Sequence, residues 1–167
     1  MNISKIVIGR KENFYAVCAK TKISVGDVIL TLQGKIVSVP SKYTIQIAKD
    51  KHISPLTNNI KDEMSVWQFI NHSCDANSYF DLSKMELIAL SDILPGKEIC
   101  FNYCTTEYDM AAPFCCECGS VNCYAEIKGF KYLTEEEINK LFTFLATHFK
   151  KYVTSLNINN CHALSKT

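Results

Sequence analysis

The stretch Phe69–Asn77, FINHSCDAN, is the part of the chain on which the interpretation of the fold depends. Phe69 and Ile70 suit a buried segment, but the residues after them are mostly polar or thiol-bearing. Asn and His in such a place are more often turn-formers than parts of a site. The stretch therefore allows two interpretations, a surface turn and a functional site, and other parts of the chain must distinguish them.

The overall composition describes an ordinary globular protein. The 167 residues suffice for one domain with its own core, and 47% of them are hydrophobic and 21% charged. A formal net charge of +1 gives no strong attraction to nucleic acid, so no direct nucleic-acid binding is predicted. No apolar run reaches about 18 residues and the start lacks the features of a signal peptide, so no membrane span or secretion is predicted. We expect an intracellular protein, cytoplasmic or nuclear, or one that a bacterium delivers into a host cell.

Nine cysteines are many for such a chain, and intracellular thiols stay reduced, which favours metal ligands or catalytic thiols over disulfides. The segment PFCCECGSVNCYA contains Cys115, Cys116, Cys118 and Cys123. Zinc favours four thiolates in a tetrahedron, but neighbouring Cys115 and Cys116 are poorly placed to bind together. A fourth ligand is then needed from elsewhere, and Cys74 is the candidate. Scattered free thiols are the alternative.

Short apolar runs separated by turn residues predict a mostly β structure. Val28–Leu32 and Lys35–Val39 flank Gly34 in a hairpin-like pattern, whereas Met85–Leu90 and Ile99–Tyr103 flank the Pro95-Gly96 turn. Residues 50–63 look polar and irregular, and residues 64–70 fit either a helical turn or a buried strand. The pattern I-x-x-G-x-x-I occurs at Ile23–Ile29 and at Ile93–Ile99, which we interpret as two similar tight turns.

The C-terminal part has a helical pattern instead. Thr134 and Glu137 form a predicted capping box, and apolar residues then recur at helical spacing as far as Val153. The pattern predicts one helix from about Glu135 to Val153, packed on the domain, with partner binding as the alternative. Residues 156–167 are expected to be a frayed tail.

Four motifs in order resemble those of SET-domain lysine methyltransferases. FINHSCDAN is similar to RFINHSCDPN, and GKEICFNY (Gly96–Tyr103) to GEELTFDY. CECGSVNC (Cys116–Cys123) resembles the post-SET zinc loop CxCGSxxC, and AKTKISVGDVI (Ala19–Ile29) resembles ATRDIKKGDVI. The resemblance spans about residues 14 to 125. Any one motif is moderately specific, and all four in order are highly specific.

The resemblance implies a mostly β, β-clip SET fold of short curved sheets with a knot-like threaded C-terminal segment, a post-SET zinc loop and a C-terminal α-helix. The implied divisions are a SET domain at 1–112, the zinc loop at 113–129, and the helix and tail at 130–167. The implied activity is transfer of methyl groups from S-adenosylmethionine to a lysine of a histone or another protein, with di- or trimethylation expected. The oligomeric state is left open.

The resemblance also implies roles for individual residues. Tyr103 is the catalytic residue, and Phe101 and Tyr108 line the substrate channel, where a Phe at 101 leaves room for more than one methyl group. The residues implied to bind the cofactor are Phe14, Tyr15, Ala16, Tyr43, Asn71, His72 and Tyr103. The implied ligands of one structural zinc ion are Cys74, Cys116, Cys118 and Cys123.

Several positions depart from the family pattern. Phe14–Ala16 stands where the family has Gly-x-Gly, Gln68 stands for an Arg, and Asn102 for an Asp. Leu32 stands for a channel tyrosine that Tyr108 could replace. These departures leave two alternatives to an enzyme: a catalytically silent SET-like module that binds a partner through its zinc loop and C-terminal helix, and a bare zinc-binding structural domain.

Overall fold

The computed structural model describes residues 3–11, 14–59 and 62–154. Within these ranges the chain forms short strands, short 3₁₀ helices and few α-helical turns, so the mostly β prediction is confirmed. The strands are β1 Ile6–Lys11, β2 Phe14–Ala19, β3 Val28–Thr31, β4 Lys35–Val37, β5 Ile45–Ala48, β6 Lys51–Ser54, β7 Asn71–His72, β8 Ser78–Asp81, β9 Glu86–Ala89, β10 Cys100–Phe101, β11 Phe114–Cys115 and β12 Glu126–Ile127. None of the helices in the described ranges is both long and apolar enough to cross a membrane.

Small sheets enclose the main core. β1 and β2 form an antiparallel hairpin, β11 and β12 pair across the cysteine loop, β4-β6-β5 form a three-stranded sheet, and β3-β9-β8-β10-β7 form the largest sheet. Buried branched and aromatic side chains from these sheets, among them Val17, Ile29, Phe80 and Leu87, pack together with Trp67 of the 3₁₀ helix Glu63–Phe69. Burial of these large side chains supplies the main driving force for folding.

The predicted hairpin around Gly34 is wrong. β3 pairs with β9 and β4 pairs with β6, so the two predicted hairpin strands belong to different sheets. Gly34 instead allows its backbone to pass close to Ser54, because a Cβ atom at position 34 would lie 2.1 Å from the carbonyl oxygen of Ser54. Residues 50–63 are also more regular than expected, since they include β6. Alternation indicates a strand but not its partner, and the partners here are distant in sequence.

The two I-x-x-G-x-x-I segments meet in space. Ile23 and Ile93 form an antiparallel bridge, with backbone N–H···O distances of 3.0 Å and 2.8 Å. Gly26 and Gly96 have φ of 84° and 81°, values that favour glycine, so the two turns are indeed similar. The bridge joins the segment that leads into β3 to the one that leads into β10.

The crossing of the chain at β10 creates the site. β10 runs parallel to β7 on one side and to β8 on the other, although β7 and β8 are neighbours in sequence. The link between them, residues 73–77, therefore has to cross β10. The Asn77 side chain fixes this crossing, since its Nδ2 donates to the carbonyl of Glu98 and its Oδ1 accepts from the N–H of Cys100. Residues 64–70, left open by their pattern, form the 3₁₀ helix Glu63–Phe69 that leads into the crossing.

The C-terminal prediction is right at its start and wrong in its length. Thr134 caps helix α1, Glu135–Leu141, with both hydrogen bonds of the capping box present. A 3₁₀ turn, Phe142–Phe144, follows, then Leu145 is extended, and residues 147–154 are helical again. The interruption lets the N–H of Ala146 donate to the carbonyl of Thr105 at 2.9 Å, which ties this region to the main domain. The predicted tail at 156–167 lies outside the described residues.

A second, smaller core joins the C-terminal region to the site. Ile127, Phe130, Leu141 and Phe149 are buried together, and the rings of Phe130 and Phe149 are stacked with centroids 4.5 Å apart. Gly129 permits the close approach that this packing needs. Its φ is 120°, and a Cβ atom there would lie 2.7 Å from the carbonyl oxygen of Tyr108.

Candidate active site and metal centre

The crossing brings together residues that are about thirty positions apart. The backbone N–H of Tyr103 donates to Nδ1 of His72 at 3.1 Å, and the two rings meet edge to face. Burial lowers the pKa of His72 to about 4, so the imidazole is neutral near pH 7. Because Nδ1 accepts a hydrogen bond, the ring proton of this neutral imidazole is on Nε2.

The hydroxyl of Tyr103 has a fixed direction. It donates to the carbonyl oxygen of Ile70 at 2.9 Å, which leaves the lone pairs of the hydroxyl oxygen free to accept. Burial raises the pKa of Tyr103 above its usual value, so the group stays a neutral phenol. Tyr103 is thus an oriented acceptor at the end of the segment that follows β10.

A narrow cavity of about 40 Å³ lies beside Tyr103. Its wall is largely aromatic and aliphatic, with Tyr43, Trp67, Ile70 and Phe101 among its members. Phe101 is held between Phe80 and Tyr103, with ring centroids 4.8 Å and 4.7 Å away. A narrow apolar cavity of this kind suits a slender side chain with an unbranched hydrocarbon stem.

One acidic residue, Glu107, also lines this cavity. The residue is 9% exposed, and its Oε1 accepts from the backbone N–H of Gln46 at 2.9 Å and from the hydroxyl of Thr106 at 3.0 Å. Burial raises the pKa of the carboxyl group to about 7, although both hydrogen bonds favour its ionised form. No motif in the sequence points to Glu107.

The predicted cofactor residues are joined through Asn71. Its Nδ2 donates to the carbonyl oxygen of Tyr15 at 2.9 Å and to Oε1 of Glu98 at 2.7 Å. Phe14 is 51% exposed beside them, and Ala16 is buried. Phe114, which is 36% exposed, packs against the rings of both His72 and Tyr103. Accessible aromatic rings beside backbone polar groups fit an adenine base, which stacks and accepts hydrogen bonds.

The four predicted zinc ligands form one cluster. The Sγ atoms of Cys74, Cys116, Cys118 and Cys123 all lie within 4.8 Å of one another, and the Cys74–Cys116 distance is 3.9 Å. Zn–S bonds of about 2.3 Å require sulfur atoms about 3.8 Å apart in a regular tetrahedron. The cluster can therefore hold one zinc ion.

Hydrogen bonds from outside the cluster support this donor set. Nε2 of His72 lies 3.2 Å from Sγ of Cys74, and the backbone N–H of Tyr124 donates to the same sulfur at 3.4 Å. Such N–H donors stabilise a thiolate and fix the orientation of a metal ligand. Cys115 is exposed and is not part of the cluster, as expected from its position next to Cys116.

One predicted channel residue, Tyr108, lies elsewhere in the structure. Tyr108 does not line the Tyr103 cavity but belongs to an aromatic group with Phe130, Phe149 and Tyr152. Leu32, which stands for the family's channel tyrosine, is buried in the main core. Tyr43, predicted to pack on the cofactor, lines the cavity together with Tyr103.

Three contributors to the site were not among the residues predicted from the sequence. They are the carbonyl of Ile70, the ring of Phe114 and the carboxyl group of Glu107. Phe114 could have been found, because it immediately precedes the cysteine loop. Gln68, which replaces the family's Arg, donates to the carbonyls of Thr57 and Ser65 and so holds the segment before the crossing.

A larger cavity, of about 430 Å³, lies on the other side of the cysteine loop. It is bounded by residues 74–76, 78 and 79 and by residues of α1, including Glu136 and Lys140. Neither Tyr103 nor Glu107 lines it. The chemistry described above is therefore in the smaller cavity.

Comparisons with known proteins agree with this geometry. A family model described as SET domain matches residues 15–104. The chain is 43% identical over 68 residues to a methyltransferase named flvH from Aspergillus flavus, covering 40% of this chain and 38% of that one. It is 33% identical over 124 residues to the histone-lysine N-methyltransferase set9 from Schizosaccharomyces pombe, covering 70% of this chain and 27% of that one. The chain thus spans much less than half the length of either relative.

Solved structures show the same fold. Crystal structures of KRYPTONITE in complex with DNA and SAH match with TM-scores of 0.56 and 0.53 at 21% identity, covering 72% of this chain and 28% and 29% of those chains. One of them also contains an H3(1–15) peptide. At this identity the likeness shows the fold.

Proposed function

The chain belongs to the SET-domain family, and from this premise we propose that it is a protein-lysine N-methyltransferase that uses S-adenosylmethionine. The observation that carries the proposal is the oriented hydroxyl of Tyr103 at a narrow apolar cavity. Relatives named methyltransferase and histone-lysine N-methyltransferase support the reaction class. The SAH named in the related structures supports the methyl donor.

The residues of the cavity fit the demands of this reaction. S-adenosylmethionine, when bound, supplies a methyl group on a positively charged sulfur. The oxygen of Tyr103, whose proton is donated to Ile70, presents lone pairs that can hold the lysine nitrogen in line with that methyl group. Trp67 and Phe101 exclude water from the cavity and so favour the neutral form of an entering amine.

The cofactor side is assigned to Asn71, His72, Phe14–Ala16 and Phe114. Asn71 ties β2 to the crossing, and the neutral His72 fixes the backbone of Tyr103. His72 is therefore a positioning residue in this proposal. A general base is not required of it, and both of its ring nitrogens already have partners.

The zinc centre has a structural role in this proposal. The thiolates of Cys74, Cys116, Cys118 and Cys123 would fasten the cysteine loop to the crossing, which carries Phe114 against His72 and Tyr103. Thiolates of this kind need a reducing environment, so we place the protein inside a cell, in the cytoplasm or nucleus.

We propose a histone as the first substrate to test, with other lysine-bearing proteins as the alternative. Set9 of Schizosaccharomyces pombe is named a histone-lysine methyltransferase, and an H3(1–15) peptide is named in one related structure. We further propose that the enzyme adds at least two methyl groups. Phe101 carries no hydroxyl that would restrain the amine, so a methylated nitrogen can turn in the cavity.

The test is methyl transfer from radiolabelled S-adenosylmethionine to core histones and to a cell lysate. We expect labelled protein with the wild type and at least a hundredfold less with Tyr103→Phe. Tyr132→Phe is the matched control, because this half-exposed tyrosine donates its hydroxyl proton to Asp109 and does not line the cavity. A thermal shift with S-adenosylmethionine accompanies the assay.

The outcomes separate the three interpretations of the sequence. Stabilisation by S-adenosylmethionine with Tyr103-dependent labelling supports the enzyme. Stabilisation without labelling of any protein would instead favour the catalytically silent module. If the protein holds zinc but is not stabilised by S-adenosylmethionine and labels no protein, only the interpretation as a structural zinc domain would remain.

A further inference from the structure

Glu107 is an enclosed carboxyl group that the reaction described above does not use. One of its oxygens, Oε1, is held by the N–H of Gln46 and the hydroxyl of Thr106. None of the residues that the structure describes donates a hydrogen bond to the other oxygen, Oε2. A carboxylate normally accepts several hydrogen bonds, so Oε2 has capacity for a further donor.

The carboxyl group also lacks a positive partner. Within the described ranges, no Lys, Arg or His forms an ion pair with Glu107. Lys42, the cation on the wall of the cavity, is exposed and holds its Nζ over the ring of Tyr43, 4.7 Å from the centroid. An enclosed acid without a cation is costly to keep, which suggests that its partner arrives with a ligand.

The position of Glu107 identifies the kind of ligand. Glu107 shares the wall of the cavity with Tyr103 and Phe101, and its own N–H donates to the carbonyl of Tyr103 at 2.9 Å. Gln46 holds the segment that contains Glu107 by two hydrogen bonds, since Oε1 of Gln46 also accepts from the N–H of Tyr108. The carboxyl group is therefore rigidly held on the wall of a narrow, mostly apolar cavity that accommodates a slender chain ending in a donor.

We infer that Glu107 is a specificity-determining residue that binds the ε-ammonium group of the substrate lysine as it enters the cavity. The inference rests on the proposed function for the identity of the substrate. Tyr103 then orients the nitrogen for transfer, whereas Glu107 selects a cationic, slender side chain over neutral ones of the same length. The ion pair contributes to capture of the substrate, and the carboxylate attracts the nitrogen to a similar degree in the transition state, where the nitrogen gains positive charge, so the methyl-transfer step itself changes little without it.

These separate roles of Tyr103 and Glu107 predict how Glu107→Gln should change KM and kcat. Glutamine keeps the size of the side chain and an oxygen that accepts from Gln46, but it removes the charge. Loss of a buried charge partner weakens binding of the cation, so we expect KM for a lysine peptide to rise at least about tenfold. Because the interaction serves capture, kcat should change by less than about threefold.

The first experiment needs no catalysis. Binding of n-butylammonium, which has the chain and charge of a lysine side chain, is compared with binding of n-butanol by NMR titration of the labelled protein. We expect the cation to shift resonances around the cavity of the wild type and to bind at least tenfold more weakly to Glu107→Gln, with partial recovery in Glu107→Asp. Glu136→Gln is the control, since it removes the same charge from the exposed face of α1.

Equal binding of n-butylammonium to the wild type and to Glu107→Gln, or no preference over n-butanol, would overturn the inference. The second experiment measures kcat and KM for the best peptide of the labelling screen with the same variants. If the wild type transfers no methyl group but still binds n-butylammonium through Glu107, the proposed enzyme fails while the cation site stands. If transfer is normal and KM is unaffected by Glu107→Gln, the enzyme stands and the cation site fails.

Discussion

The enclosed carboxyl group of Glu107 should make the stability of the protein depend on pH in a way that one substitution removes. The pKa of the carboxyl group rises from 4.5 in the unfolded chain to about 7 in the folded protein because of burial. Between these two values the folded protein binds a proton that the unfolded chain has released. Stability must therefore fall as pH rises from about 4.5 to about 7, and stay low above that.

The magnitude follows from the two pKa values. A difference of one pKa unit corresponds to about 1.4 kcal/mol, so the full cost of ionising Glu107 in the folded protein is about 3 kcal/mol. Roughly 2–3 kcal/mol of this cost develops between pH 5 and pH 8. Gln at this position titrates in neither state, so Glu107→Gln should be increasingly more stable than the wild type as pH rises.

The assay is urea unfolding of the wild type and of Glu107→Gln at pH 5 and pH 8, at one fixed zinc concentration. Other groups, such as His52, His72 and His148, titrate in both proteins and cancel in the difference. Glu136→Gln is the control, and its difference from the wild type should hardly change between pH 5 and pH 8, because pairing with Lys140 lowers the pKa of Glu136 and its titration lies below this range. If the difference between Glu107→Gln and the wild type were the same at both pH values, the carboxyl group would not be held in its protonated form, and the reasoning from burial would be refuted.

Three further predictions concern the metal, the product and the packing. Cys74→Ser should lower the zinc content measured by mass spectrometry well below one ion per chain, whereas Cys115→Ser should leave it unchanged; equal zinc in both variants would contradict the ligand set. Phe101→Tyr should shift the products seen by mass spectrometry from di- and trimethyl-lysine to monomethyl-lysine, and strictly monomethylated product from the wild type would count against the proposal. Gly129→Ala should reduce the free energy of unfolding by about 2–4 kcal/mol, because of both strain and contact with Tyr108. Gly26→Ala, whose Cβ would meet nothing within 4 Å, should lose only about 1–2 kcal/mol in the same urea titration.

The spacing of the cysteines predicted the metal centre, and the resemblance to the SET-domain family predicted the crossing. Asn71, His72 and Cys74 lie within four positions, and zinc needs a specific number and type of ligands, so spacing alone is informative. The meeting of Tyr103 with His72 followed from the resemblance, since no periodicity reveals that β10 inserts between two strands that are neighbours in sequence. The structure bears out both of these contacts.

The sequence alone could not predict which strands pair over long distances or which polar residues are buried. A strand pattern does not name its partner, which is why β3 was paired with β4 and not with β9. Glu107 follows two threonines and looks like an exposed polar residue, because acids are rarely buried without a partner. Tyr108 was predicted to line the substrate channel, but Glu107 does so instead. Gln46 hydrogen-bonds to both residues and holds the carboxyl group of Glu107, not the ring of Tyr108, at the cavity. The helix after Thr134 is interrupted by a tertiary hydrogen bond from Ala146, which helical spacing cannot reveal.

His72 explains why the stretch FINHSCDAN is central to both the metal centre and the cavity. One neutral imidazole accepts the backbone N–H of Tyr103 at Nδ1 and directs its Nε2–H to the sulfur of Cys74. Either contact alone would orient the ring, but both together join the metal centre to the backbone that carries the Tyr103 hydroxyl. A zinc ion that positions Cys74 therefore also positions His72, and through it Tyr103. Since one rigid ring makes both links, loss of the metal should disturb the cavity itself as well as the cysteine loop.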